Sequence, residues 1–318
     1  MIRAHEKAGA WYPTRAADLA ALVDGLVARA SAAWANRPTP GAPPPPPPAG
    51  MPLAGIVPHA GLAYSGPTAA RVYAWLAEAL PALDVGDGGD GIAFAVFGAA
   101  HRTEVRRPAL WARGAWRTPL GDLRVDEEWA DSLLFGSGGL WEDRPAAHAG
   151  DNAIELQTPF LARLFPKALI LPVALGPAAD AAEAGRFAAK TAAALGKNAI
   201  ALGSTDLTHY GAHFDLAPAG TGPEALRWAE ENDRPFLDAL VRLDLARIVP
   251  AGEAARTICG AGAAAAAAGF AAERGAQSGV LLAHASSRDL DSNDPADHFV
   301  NYGAVAYAAE STGQGVRP

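Results

Sequence analysis

The sequence predicts an α/β fold, a three-layer sandwich whose central sheet, mostly parallel or mixed, is covered by helices on both faces. Three observations lead there. Short runs rich in apolar and β-branched residues recur along the chain, they are continuous rather than alternating, and segments of helical spacing lie between them. A continuous apolar run suits a strand buried on both faces. The 318 residues, half of them hydrophobic, suffice for a sizeable core and suit one domain spanning 1–318.

Residues 14–34 offer Thr14 as an N-cap and place Leu19, Leu22, Val23, Leu26 and Val27 at helical spacing, so they predict an amphipathic helix. The proline-rich stretch 37–50 cannot donate ladder hydrogen bonds and favours an extended conformation, which predicts a solvated connector. Beyond it the expected strands are "LAGIV", "IAFAVFG", "ALILPVAL", "NAIALGS", "GVLLAHA" and "GAVAYAA". Helices are expected near 67–80, 126–134, 153–165, 178–195, 223–240 and 259–273. The glycine-rich segment 84–91 precedes a strand, whereas a phosphate-binding loop follows one and opens a helix; it predicts a loop tip. There is no dinucleotide or Walker fingerprint and no internal repeat.

A net charge of −8 with scattered arginines excludes a nucleic-acid backbone or an anionic membrane as partner. The first residues, "MIRAHEKAGAWYP", carry charge where a signal peptide needs its apolar core, and the longest apolar run, "CGAGAAAAAAGFAA", is too short to span a bilayer. A cytoplasmic protein is expected. The single cysteine, Cys259, excludes a disulfide framework and a multi-thiolate zinc knuckle.

In open α/β sheets ligands bind beyond the carboxyl ends of the strands, so the residues just after each strand are the candidates. "LAGIV" runs into Pro58, His59, Ala60 and Gly61; "IAFAVFG" is followed by Ala99, Ala100, His101 and Arg102; "NAIALGS" is followed by Thr205, Asp206, Leu207, Thr208, His209 and Tyr210. Three strands thus bring imidazoles to one edge, with small neighbours that leave room for a metal or substrate. Any one of these histidines, taken singly, also reads as a hydrogen-bonded structural residue. Cys259, with Thr257 as a cap, is placed in the first turn of a helix, where unpaired N–H groups favour the thiolate that a ligand or nucleophile needs. It reads equally as a small buried hydrophobe. Glu155 and Gln157 stand at the start of the 153–165 helix, where a carboxylate also suits a helix N-terminus, and His148 is either loop or site wall.

Taken in order, "AGAWYP", "VPHAGLAYSGPTAARVY", "GAAHR", "WRTPLGDLRVDEE", "DNAIELQTPFL", "LPVALG", "STDLTHYG", "ICGAGA" and "VNYGAVAYAA" resemble the MEMO family, the mediators of ErbB2-driven cell motility, whose microbial members are called AmmeMemoRadiSam system protein B. The resemblance covers nearly the whole chain apart from the proline connector and the glycine-rich loop. It implies a fold like that of the class III extradiol dioxygenases. It also implies a metal site of two histidines and one cysteine: His59 of "VPHAG", His101 of "GAAHR" and Cys259 of "ICGAG". Pro58 and Gly61 would then shape a turn that aims His59 into the cleft. Asp206 and His209 of "STDLTHYG" match the polar pair lining it, and Tyr64, His148, Asn152 and Glu155 are further candidates for its wall. Where many relatives carry histidine in an "EHSIE"-like stretch this chain has "DNAIE", so Asn152 places a neutral amide there, which can orient a substrate but not act as a general base.

Three functions follow as expectations. The first is a non-haem iron(II) oxygenase acting on a small catechol-like or enediol-like molecule with O2, His209 serving as acid/base; the thiolate also suits copper(I) or zinc(II). The second is a hydrolase whose nucleophile Cys259 is activated by His209 and oriented by Asp206. The third is a metal- or peptide-binding module without turnover.

Overall fold

All six apolar runs become strands of one sheet. The computed structural model describes residues 1–35, 45–80, 91–178, 180–290 and 297–310. Residues 37–44 of the proline connector and 84–90 of the glycine-rich loop lie outside them. In chain order, β1 (Ile2–Arg3) and α1 (Ala16–Ala35) precede β2 (Pro52–Val57) and α2 (Gly66–Ala79). Then come β3 (Ala93–Ala99), the short β4 (Ala109–Leu110), β5 (Ala115–Thr118) and β6 (Gly121–Arg124), α3 (Glu127–Gly136) and β7 (Glu142–Asp143). The second half holds α4 (Thr158–Leu164), β8 (Leu169–Leu175), α5 (Ala181–Ala194), β9 (Ala199–Ser204), β10 (His209–Gly211), α6 (Pro223–Val241), α7 (Leu245–Ala254), α8 (Ala261–Glu273), β11 (Val280–Ser286) and β12 (His298–Ala308).

The large sheet has the order β10-β12-β2-β9-β3-β8-β4-β7, with β11 also paired to β12. Its centre, β2-β9-β3-β8, is parallel, whereas β12 runs antiparallel to β2, β10 and β11 and β4 runs antiparallel to β8, so the sheet is mixed. Because β9 lies between β2 and β3, the chain leaving the carboxyl ends of these three strands emerges side by side. A separate small sheet, β1-β5-β6, ties the chain's start to residues 115–124.

Successive residues of a strand face opposite sides, and β3 shows both cores at once. Phe94 and Val96 belong to a cluster with α1, α2 and α4, while Ala95 and Phe97 belong to one with α3, α5, α6, α7 and α8. Helix, sheet and helix are the three layers expected. The innermost helix, α8, is buried from Ala261 through Ala271, as a helix apolar all round must be. Its glycines permit close approach: a Cβ on Gly269 would stand 2.1 Å from the Ala182 carbonyl oxygen, and one on Gly262 2.1 Å from that of Gly176.

Several details differ from the sequence expectation. The 153–165 helix splits into a 3-10 turn at Glu155–Gln157 and α4 from Thr158, where Pro159 occupies the first turn. The small sheet and strands β4, β7 and β10 have two to four residues each, too few for a periodic signal. Helix α7 was not legible because Pro250 interrupts its pattern. The connector's end is not free in solvent: the buried Trp75 indole N–H donates to the Pro48 carbonyl at 3.2 Å. Among the described residues no helix is long and apolar enough to cross a membrane.

Candidate metal centre

β2 delivers His59 and β3 delivers His101 on either side of β9, whose last residue, Ser204, lies between them. His59 is 2% exposed and held on three sides. Its backbone N–H donates to Asp206 Oδ1 at 2.7 Å, its carbonyl accepts from Asn152 Nδ2 at 3.0 Å, and its ring Nδ1 meets Ser204 Oγ at 2.9 Å. Gly61 does not need its glycine: its φ is not positive, and a Cβ there would meet the Trp11 carbonyl oxygen only at 3.5 Å, an ordinary contact. The turn after β2 is fixed by these side chains instead.

His101 is tied to one carboxylate. Its backbone N–H donates to Asp151 Oδ2 at 2.7 Å, and its Nδ1 lies 3.1 and 3.2 Å from the two Asp151 oxygens. The imidazole side chain is 30% exposed, so the site opens to solvent on this side. The two rings stand edge to face with centroids 5.1 Å apart.

Cys259 is not in the first turn of a helix. It precedes Gly260, the N-cap of α8, and Thr257 caps nothing there; its hydroxyl accepts from the His209 N–H at 3.1 Å. Gly260 explains the "CGAG" sequence physically: a Cβ at that position would lie 2.4 Å from the Ser204 carbonyl oxygen, so only glycine lets the chain pass that close to β9. The thiol sulfur then sits 3.2 Å from His59 Nε2 and accepts the Asp206 N–H at 3.4 Å.

His59, His101 and Cys259 thus offer three ligand atoms within 4.8 Å of one another, the only such group of metal-ligating side chains among the described residues. The donor set fits a metal. Bonds of about 2.3 Å to sulfur and 2.0–2.1 Å to nitrogen put neighbouring donors about 3.1 Å apart at a right angle and about 3.6 Å apart in a tetrahedron, and the Cys259–His59 separation of 3.2 Å falls between. On each imidazole Nδ1 is already engaged, leaving Nε2 for a metal, and a carboxylate behind a ligating histidine is a recurrent feature of metal sites.

Electrostatics favour a thiolate. Burial pushes the Cys259 thiol up, but His59 and His101 outweigh it and bring its pKa down to about 5. Burial works against a charged His101, yet Asp151 and Cys259 raise it to about 10, and Asp151 itself falls to about 2 because His101 and backbone N–H groups overcome its burial. His59 is raised in the same way, Cys259 and Asp206 outweighing its burial.

Of the other sequence candidates, Asp206 is 3% exposed and serves the His59 backbone. His209 lies outside the triad: its Nδ1–H is shared between the Leu207 and Thr257 carbonyls at 3.0 and 2.9 Å, which leaves Nε2 as a lone-pair acceptor. No hydrogen bond joins His209 to Cys259, whose sulfur meets His59 Nε2 and the Asp206 N–H. Tyr64 is 56% exposed on the turn after His59. Two candidates do not line a cleft. Glu155 is 1% exposed, and its oxygens accept from the Arg3 guanidinium, the N–H groups of Glu6 and Lys7, and the Tyr12 hydroxyl, all at 2.7–2.8 Å. It pins the chain's first residues to the fold. His148 is equally buried between Trp111 and Trp116 and donates from Nε2 to the Ala109 carbonyl at 3.1 Å.

Sequence reasoning missed Asp151, Ser204 and Asp233. The fully buried Asp233 on α6 accepts from the Thr208 N–H and hydroxyl at 2.9 and 2.6 Å, from Asn301 Nδ2 at 2.8 Å and from His284 Nε2 at 2.9 Å, fixing the loop between Asp206 and His209. The one available signal was an acid at an otherwise apolar helix position. A cavity of about 340 Å3 lined by Leu140, Trp141, Leu175 and Phe187 includes none of the triad.

A family model described as "Memo-like protein" matches residues 3–306. A MEMO1 family protein of Methanopyrus kandleri is 32% identical over 260 residues, covering 80% of this chain and 83% of that protein. MEMO1 family proteins of Methanosarcina acetivorans and Pyrococcus abyssi are 32% and 30% identical, over 79% of this chain in each case and 84% and 85% of their own lengths.

Proposed function

The chain belongs to the Memo-like protein family, and from that premise we propose that it is a metalloprotein that holds one iron(II) at His59, His101 and Cys259 and oxygenates a small catechol-like or enediol-like molecule. The observation that carries this reading is the convergence of three ligand atoms within 4.8 Å, with both imidazoles oriented from behind. Iron(II) held by one face of protein ligands keeps positions open for substrate and O2. The chain's own residues divide the remaining work. Cys259 arrives as a thiolate, Asp151 holds His101 at the solvent side, and Asp206 and Asn152 fix the His59 backbone. His209, with Nδ1–H tied to two carbonyls, has Nε2 free to accept a proton from a substrate hydroxyl. The buried walls around His59 exclude water from that side.

The test is anaerobic loading with iron(II) followed by nitric oxide. A high-spin paramagnetic adduct, and oxygen uptake with one of a panel of catechols and enediols, are expected. A protein that binds iron but gives neither is a metal-binding module, and the oxygenase reading then fails.

A second reading has one observation in its favour. The Cys259 sulfur lies 3.2 Å from His59 Nε2 and its pKa is about 5, so the pair is also a thiolate–imidazolium pair of the kind used in acyl transfer. Its base would be His59 rather than His209. Turnover of an activated ester by chelator-treated protein, abolished by Cys259→Ser, would favour it.

A further inference from the structure

We infer that Ser204 and Gln157 are positioning residues that keep a proton on His59 Nδ1 and so leave Nε2, beside Cys259, as the ring nitrogen that would take a metal; the inference rests on the metal-centre reading above. Proton accounting at Ser204 sets the direction. A hydroxyl has one proton and two lone pairs. The Ala153 carbonyl, 2.7 Å from Ser204 Oγ, can only accept, so the hydroxyl proton goes there. Gln157 Nε2 approaches the same oxygen at 3.0 Å as a donor. Its amide orientation is fixed by the Pro58 carbonyl, which can only accept and lies 3.0 Å from Nε2; Oε1 then accepts from the Tyr73 hydroxyl at 3.0 Å. One lone pair of Ser204 remains, and it faces His59 Nδ1 at 2.9 Å. Only a protonated Nδ1 completes the set.

Burial gives the arrangement its force. Ser204, Gln157 and Tyr73 are all 0% exposed and His59 is 2% exposed, so water offers no alternative partner, and the opposite tautomer would leave a bare ring nitrogen against an oxygen with no proton left to give. The same Gln157 holds the Pro58 carbonyl, so it governs both the ring and the backbone on which the ring is mounted. The two imidazoles are therefore oriented by unlike devices. Behind His101 stands a carboxylate, which has no proton of its own and can only accept a hydrogen bond from Nδ1–H. Behind His59 stands a neutral hydroxyl that becomes an obligate acceptor only because Ala153 and Gln157 use its other capacities.

The experiment uses cobalt(II) as probe on the full chain, with wild type, Ser204→Ala, Gln157→Met and Asp151→Asn. Affinity is measured by chelator competition, and the solvent exchange of the hyperfine-shifted imidazole N–H protons is followed by proton NMR. Wild type should show two slowly exchanging ring N–H signals. Ser204→Ala should bind cobalt about 10–100-fold more weakly and lose slow exchange at one signal alone, while Asp151→Asn perturbs the other. Gln157→Met should shift the same signal as Ser204→Ala with a smaller loss of affinity, and it decides the matter if Ser204→Ala does not fold. Wild-type affinity and two undisturbed signals in a folded variant overturn the inference. A wild-type chain that takes up no cobalt overturns the metal-centre reading itself, and the inference with it.

Discussion

The Cys259 sulfur and His59 Nε2 lie 3.2 Å apart, and each shifts the other toward its charged form. In metal-free protein this makes Cys259 a thiolate near neutral pH. Its alkylation by iodoacetamide should follow a titration with midpoint at about 5, flat above it and falling as the pH drops through it. His101→Ala should move the midpoint up, since one of the groups that lower it is gone. Saturating metal should protect the thiol. A wild-type midpoint near the ordinary thiol value of about 8.5 contradicts the electrostatics described.

His148 should make the fold acid-sensitive. Burial is the leading cause that lowers its pKa from 6.5 to about 4. Between those values the unfolded chain binds a proton that the folded chain refuses, so stability rises with pH across the window and is lost as the pH falls from 6.5 toward 4. The full loss is about 3 kcal/mol. Urea denaturation of chelator-treated wild type and His148→Gln, compared at each pH, isolates this slope. Asp151, lowered to about 2, contributes mainly below the window, and His101, raised to about 10, contributes above it. Parallel curves for the two proteins would show that His148 is not the group responsible.

Glu155→Ala should weaken the fold rather than the metal centre. The substitution removes the buried carboxylate partner of the Arg3 guanidinium, 4% exposed, leaving it only the half-exposed Glu6 at 3.6 Å, and takes the acceptor from two backbone N–H groups. Breaking a buried pair from one side costs about 3–5 kcal/mol. The denaturation midpoint should fall while folded protein keeps its metal stoichiometry. Loss of metal at unchanged stability would return Glu155 to the site wall.

Much of this was legible in the sequence, for reasons that can be named. β3 and β9 are continuous apolar runs because both their faces are covered, and that pattern survives in one dimension. His59 and His101 stand at strand ends, where topology alone converges them, and the resemblance supplied Cys259 as their partner. Partnerships over long sequence distance were not legible. Ser204 reads as the last residue of a strand until β9 is known to lie between β2 and β3. Glu155 reads as a helix-start acid until Arg3, 152 residues away, is seen against it. His148 reads as loop or site wall because no spacing rule discloses the two tryptophans that enclose it.

His209 and Asp206 should separate. His209→Ala should leave metal affinity near wild type, since His209 is no part of the triad, while any oxygen-dependent turnover falls. Asp206→Ala should weaken metal binding by about tenfold or more, because Asp206 holds the His59 N–H at 2.7 Å. Chelator competition on both variants checks this. Equal metal loss in the two would make His209 a ligand.

The central claim, one metal ion held by His59, His101 and Cys259, is tested most directly by metal analysis of anaerobically iron-loaded protein. Wild type is compared with His59→Ala, His101→Ala and Cys259→Ala, each confirmed as folded by circular dichroism. One iron per wild-type chain and well under half of that in each variant is the expected result. Unchanged stoichiometry in all three variants would contradict the claim.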